Sequence, residues 1–401
     1  MPQTEWFDLR GRRAYHELFI TPKYGGVGLL MVSSNRWFAV GTALSVLCSG
    51  GLLAQGRQGQ TQGQAQGQDA RAQAAAAAAR QAEIQGTVKL VDDLAAGQTA
   101  PNDFALAWMR EDYLKSGPNA QYVPFVVTVD GSKLTSGSVA LYWRVVSKAP
   151  APAAPPAPAG APAARPRYAY EDINFVTQLV VGAAGTPTRI ARSFSVPAGV
   201  YDVFVALKEP ISAQKGAPPP KAAVVKHTIT VPDFWTSDLT TSSVIVAERV
   251  DPVTAPLSQQ QMAERPYALG PIEIVPVADT KFTKKSELSL FMLIYNAKSD
   301  AANKPDVMVE YSFCQAAPGT EAKEGEPCKA GEKFFNKTNP QNLNAQSLPA
   351  EFNLAAGHQL QTGQAVPLAS FPEGAYRLEV KVTDKLASKS LTRDINFTVA
   401  P

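Results

Sequence analysis

Pro197-Ala-Gly-Val-Tyr201-Asp-Val-Phe-Val-Ala-Leu207 and Pro372-Glu-Gly-Ala-Tyr376-Arg-Leu-Glu-Val-Lys-Val382 share the pattern Pro-x-Gly-x-Tyr followed by an alternating strand. Each is preceded by a phenylalanine, Phe194 or Phe371, and each leads to a closing strand, His227–Val231 or Ile395–Val399. Glycine before an aromatic strand is common turn chemistry by itself. The matched closing strands make the two stretches one supersecondary unit used twice.

Working outward, short alternating runs separated by Gly, Pro, Asn and Asp continue from about Ala100, the signature of an antiparallel β-sandwich. Tyr122–Asp130 aligns Val123, Phe125, Val127 and Val129, and Val139–Val146 aligns Leu141, Trp143 and Val145 beyond the turn at Asp130-Gly131. Asn102–Lys115 reads as a strand followed by a turn of helix. Thr188–Val196, Tyr201–Leu207 and Ala223–Val231 complete a first set. A second set follows at Ser243–Val250, Ile272–Val277, Glu287–Tyr295 and Asp306–Cys314, with a loop over Asp251–Pro266 and then the last pair. The alternation of Leu288, Leu290, Met292 and Ile294 predicts a sheet with one face in water. Tyr201 and Tyr376 occupy the position of the corner tyrosine that precedes the second sheet cysteine of immunoglobulin-like domains by two residues; here Val203 and Leu378 replace that cysteine, so apolar packing substitutes for the inter-sheet disulfide. The fold class is therefore all-β: two immunoglobulin-like β-sandwich domains in tandem, at 100–236 and 237–401. The Pro/Ala-rich stretch 148–167 is an insertion in the first, because a boundary there would orphan the strands after it.

Upstream, Met31–Arg36 and the apolar run Trp37–Cys48 read as the charged and hydrophobic parts of a signal peptide over 31–54, with Gln55 the new N-terminus. Val46 and Leu47 are too large for a lipidation signal at Cys48. Residues 1–30 read as a mis-assigned upstream segment. The Gln/Gly/Ala-rich stretch 55–99 is expected to be a disordered, low-complexity tether with no apolar stripe to hold it to a neighbour.

The 401 residues carry 38 Lys+Arg against 35 Asp+Glu, and removing residues 1–54 leaves 33 against 32, so no nucleic-acid partner is implied. Three histidines and three cysteines are too few for most metal or redox frameworks. Cys314 and Cys328 flank a polar loop and are expected to form a disulfide worth about 3 kcal/mol on a chain-entropy estimate. His227 and His358 have no motif around them, Asp130 and Asp306 lack a calcium-loop pattern, and Lys281, Lys284 and Lys285 read as a solvated turn. No catalytic, cofactor-binding or metal-ligating residue is predicted, and no cofactor. Trp235 and Tyr267 are the candidates for an aromatic sugar platform, though interface packing suits both better.

At Tyr122-Val-Pro-Phe125, Pro232-Asp-Phe-Trp-Thr236, Ser242–Ala247, Phe282–Ser286 and Asn336–Pro340 the chain resembles a group of uncharacterised exported β-sandwich proteins of soil bacteria. The arrangement after Trp235 is similar to the immunoglobulin-like region of GWxTD-domain proteins. The resemblance implies an envelope or secreted β-protein. The functional expectation is a non-catalytic binding or scaffolding module, periplasmic, cell-surface or secreted, with protein or cell-envelope components as partners and the membrane touched only through an uncleaved signal segment. The alternatives are an extracellular enzyme or a carbohydrate-binding protein.

Overall fold

The computed structural model describes residues 59–149, 168–182, 185, 187–212, 214 and 216–401, with side chains from Arg71 onward, and two two-residue strands, β1 (Trp6–Phe7) and β2 (Arg13–Ala14), that pair with each other. The remainder of the upstream segment 1–30, the expected signal peptide over 31–54 and residues 150–167 of the Pro/Ala-rich insertion lie outside the described residues.

The first sandwich comprises β3 (Ala107–Glu111), β4 (Leu114–Lys115), β5 (Gln121–Val129), β6 (Val139–Ser147), β7 (Tyr170–Val176), β8 (Thr188–Val196), β9 (Gly199–Lys208) and β10 (Ala222–Val231). One sheet runs β10-β9-β6-β7; in the other β5 is flanked by β8 and by β3 and β4. Period-two burial sends Val123, Phe125, Leu141, Trp143, Val203 and Val205 into one core between them. β6 and β7 pair with each other, so the Pro/Ala-rich stretch joins neighbours within one sheet. No helical turn follows β3. Leu114 and Lys115 instead pair with Tyr122 and Gln121, and the Asp112 amide donates to the Pro124 carbonyl; sheet pairing outweighs local helix propensity.

The second sandwich comprises β11 (Thr240–Thr241), β12 (Ile245–Pro252), helix α2 (Gln259–Glu264), β13 (Ala268–Leu269), β14 (Ile272–Pro276), β15 (Lys281–Thr283), β16 (Glu287–Tyr295), β17 (Val307–Ala316), β18 (Glu332–Lys337), β19 (Gln341–Leu343), β20 (Leu360–Pro367), β21 (Gly374–Asp384) and β22 (Lys389–Ala400). The expected loop 251–266 thus holds α2, closed by a Ser258/Gln261 capping box. β16 lies between β12 and β20, and β21 between β17 and β22. The strands β5, β6, β8, β9 and β10 of the first sandwich correspond in order and pairing to β16, β17, β20, β21 and β22 of the second.

The sandwiches stack face to face. The expectation that β16 shows one face to water is corrected: Leu288, Leu290, Met292 and Ile294 enter the second core, while Phe291, Leu293 and Tyr295 pack with Leu114, Tyr122 and Val126 of the first sandwich. The run Leu-Phe-Met-Leu-Ile-Tyr is apolar at every position, as a strand covered on both sides requires. Polar links fix the stack. The Tyr113 amide donates to Ser243 Oγ (2.9 Å) and the Lys115 amide to Tyr295 Oη (3.0 Å). Buried Asp112 accepts from Tyr267 Oη (2.8 Å) and from the Arg110 guanidinium (2.7 and 2.9 Å). Burial pushes the Asp112 carboxyl above its ordinary range despite the pull of Arg110.

Helix α1 (Gly59–Ala95) corrects the expected disordered tether. Ala and Gln favour helix, and the last turns carry a stripe at Thr87, Val88, Val91 and Leu94 that lies on Tyr142, Phe204, Ala206 and Val224 of the first sandwich's outer face. Gly97, at φ +85°, ends the helix: its amide reaches the Leu94 carbonyl and the Gln98 amide that of Asp93, an arrangement a side chain at Gly97 would strain.

Candidate interaction surface

Three connections meet at one end of the first sandwich: 130–138 between β5 and β6, 177–187 between β7 and β8, and 209–221 between β9 and β10. Asp130 starts the first by accepting from the Ser132 amide (3.0 Å) and hydroxyl (2.6 Å), which makes it a turn residue. Leu134 drops into the core and anchors the loop from below. Buried Glu209, directly after β9, accepts from the amides of Thr135 (2.6 Å) and Ser136 (3.0 Å) and from the Thr135 hydroxyl, so among the described residues its carboxyl group is met by donors of the loop rather than by a cation. Lys221 Nζ donates to the Lys133 carbonyl (2.5 Å), and the amides of Leu179 and Gly182 donate to the carbonyls of Gly137 and Gly131. Three segments far apart in sequence thus become one tip. Among its exposed side chains are three aliphatic ones: Val180 is 61% exposed, Val181 46% and Ile211 51%. Single exposed apolar residues are ordinary, whereas three carried at one end of a sandwich make that end a candidate surface for association.

The residues singled out in the sequence occupy other places. Tyr201 Oη donates to the Pro197 carbonyl (3.0 Å) and Tyr376 Oη to that of Pro372 (2.7 Å), with Gly199 at φ +154° and Gly374 at φ +141°. Both rings sit in their own cores, so Tyr201→Phe and Tyr376→Phe should each lower the unfolding free energy by about 1 kcal/mol, the net worth of one hydrogen bond, in urea denaturation. A loss in only one of them contradicts equivalent corners.

Cys314 and Cys328 are disulfide-bonded, and their loop is tied over β21 by Arg377, whose Nη2 donates to the Pro327 carbonyl (2.6 Å) and lies 3.8 Å from Cys314 Sγ. Arg377 also pairs with Glu332 and Asp394 (2.7 Å each), and its hydrogen bonds hold the Glu332 carboxyl below the usual range. Cys314, Cys328 and Glu332 lie close enough together to suggest a metal site, but the sulfurs are bonded to each other and the carboxylate is occupied by Arg377.

His227 stacks on Trp108 at 4.7 Å, beside Glu111, which accepts from Trp108 Nε1 (2.6 Å) and Tyr113 Oη (3.1 Å). His358 accepts the Asn353 amide (3.0 Å) and packs on Phe352. The two histidines are in different sandwiches, each held by its local packing. Asp306 Oδ1 lies 3.5 Å from Lys385 Nζ, and Lys284 pairs with Glu373 (3.1 Å). Tyr267 is 3% exposed inside the inter-sandwich core, and Trp235 has Lys115 Nζ 4.3 Å over its ring and its Nε1 on the Ala120 carbonyl, so the two rings form no shared platform. The tip itself was missed in the sequence, where only the spacing of Glu209 from Tyr201 signals it.

No protein-family model matches the sequence, and no curated protein matches it. Among solved structures, the chain is similar to Salmonella alpha-2-macroglobulin reacted with methylamine, with 16% identity over 76% of this chain and 17% of that one at a TM-score of 0.18. It is likewise similar to E. coli alpha-2-macroglobulin in its native conformation, with 14% identity over 76% and 16% of the two chains and a TM-score of 0.19. The chain thus spans about a sixth of those proteins, and likenesses at this TM-score carry no argument.

Proposed function

We propose that this chain is a non-catalytic exported binding or scaffolding module of the bacterial cell envelope that holds a protein partner at the loop tip of its first sandwich. The observation behind this reading is that exposed Val180, Val181 and Ile211 sit on two of the three connections at that end, both tied to the 130–138 loop, 209–221 through buried Glu209 and 177–187 through backbone hydrogen bonds. A rigid sandwich presenting loops from one end is a general arrangement for recognition, and aliphatic tips gain from leaving water. Export is supported by the signal pattern of residues 31–54 and by a disulfide of the kind that persists in oxidising compartments. The stacked sandwiches suit a scaffold, since bound partner and envelope attachment keep a fixed relation.

Photo-crosslinking in intact cells tests the reading. A crosslinking residue at Val180 or Ile211 should give one predominant protein adduct, lost when the two remaining aliphatic tip residues are changed to serine. The same residue at exposed Lys381 on the second sandwich should give none. Equal adducts from Lys381, or none from the tip, would overturn it.

A further inference from the structure

Lys208, Glu209 and Ile211 face helix, loop and helix in turn. The Lys208 stem lies against Gly86 of α1, where even a Cβ would come within 3.4 Å of Lys208 Cε. Lys208 Nζ is sealed from solvent with no hydrogen-bond partner among the described residues. Glu209 holds the 130–138 loop, as described above. The Ile211 amide donates to Glu83 Oε1 of α1 (3.3 Å). The helix therefore grips the chain on both sides of the residue that organises the tip.

We propose that α1 is a strap that governs the loop tip: docked, it fixes the start of the 209–221 connection and through Glu209 the 130–138 loop, and lifted, it releases both together. The grip is confined to one end of the helix. Arg71–Ala79, Gln81 and Ala82 are exposed, and beyond Arg80, whose guanidinium lies 4.4 Å over the Phe175 ring, contact depends on Glu83 and Gly86, on the Thr87–Leu94 stripe and on the Arg144–Asp92 pair (2.7 Å). Such a small patch belongs to the low-stability end of a structure and can open while the two sandwich cores stay folded. Burial also pushes the Lys208 ammonium pKa down, so the docked state holds a strained cation that lifting would rehydrate.

The second sandwich supplies the contrast. Where β9 turns Phe204 and Ala206 outward to receive α1, β21 has Glu379 and Lys381 at the equivalent positions. Its connection after Asp384 is the four-residue turn 385–388, short enough to hold itself, whereas 209–221 is longer and meets the helix at Ile211. The pull on α1 from its N-terminal side, or a competitor for its apolar stripe, would then reach the tip. By reciprocity a tip ligand that prefers the fixed loops would tighten α1 docking by the same factor. That last consequence rests on the binding role proposed above; the mechanical link does not.

Amide hydrogen exchange on the full chain without partner tests the link, independently of the crosslinking result. Val91→Asp places a charge under the stripe and should speed exchange about tenfold or more in peptides covering 131–138 and 209–212, leaving 376–382 unchanged. Lys89→Ala, on the exposed side of the helix, should change neither. Faster exchange across 83–95 with both tip peptides unaltered would overturn the proposal. Should Val91→Asp also loosen β6, Glu83→Ala decides: it deletes the acceptor of the Ile211 amide while keeping the apolar contact. It should speed exchange at 209–212 about threefold or more, and unchanged exchange there refutes the strap.

Discussion

Phe291→Ala should destabilise the protein by about 3–5 kcal/mol, and Met292→Ala by about 2–5 kcal/mol, although the two side chains point to opposite faces of one strand. In a strand with one face in water the outward member of such a pair is a surface position, where truncation changes stability by about 0.5 kcal/mol or less. β16 is not such a strand. Met292 fills the second core, while Phe291 packs beyond it among Leu114, Val126, Ile245 and Ile274 where the two sandwiches meet. Removing its ring leaves a void between two layers whose backbones are held by the Tyr113–Ser243 and Lys115–Tyr295 hydrogen bonds and cannot collapse freely. Urea denaturation followed by intrinsic fluorescence reads the loss. A Phe291→Ala effect below about 0.5 kcal/mol would mean that the sandwiches move apart in solution and that β16 is covered on one side only.

Much of the first-order architecture is legible in the sequence where alternation is clean. Thr188–Val196 and Glu287–Tyr295 are strands over the residues that the pattern marks. Glu332–Lys337 and Leu360–Pro367 escape it because they are largely polar and are strands by virtue of their pairing with β17 and β16. The two-sided burial of β16 is written in its unbroken apolar run, yet alternation read for one face hides the other. Helix α1 escapes because a stripe of about two turns is diluted in a long Gln/Gly/Ala segment. The outward Phe204 and Ala206 of β9 were the complementary sign of something resting on that sheet. The tip is the least legible part, since Glu209 and Lys221 join its connections by meeting mostly backbone groups, and those carry no residue signature.

Asp384→Ala should destabilise the protein by about 3–5 kcal/mol and Glu209→Ala by about 2–4 kcal/mol, because they strand three and two backbone amides at about 1–3 kcal/mol apiece, less what water recovers. The two acids stand eight residues after Tyr376 and Tyr201. Asp384, fully buried, accepts from the amides of Lys298 (2.7 Å), Leu386 and Ala387 (3.0 Å each), and Glu209 accepts from those of Thr135 and Ser136. In both sandwiches the carboxylate therefore ties the end of one strand to the loop that follows a strand of the facing sheet, β5 or β16. Asp384→Asn keeps the shape and one acceptor oxygen and should fall between, at about 1–3 kcal/mol. A position earlier on the same strands shows why the acid is retained. Asp202 pairs diagonally with Lys226 (2.8 Å), and its counterpart Arg377 pairs diagonally with Asp394 (2.7 Å), the same contact with the charges exchanged. A side-chain partner can change sign along with its mate. A backbone N–H cannot, so the position that meets backbone must stay an acceptor. Denaturation midpoints within about 0.5 kcal/mol of the parent for both alanine variants would show that water fills the role, and that the shared spacing from the corner tyrosine has no energetic meaning.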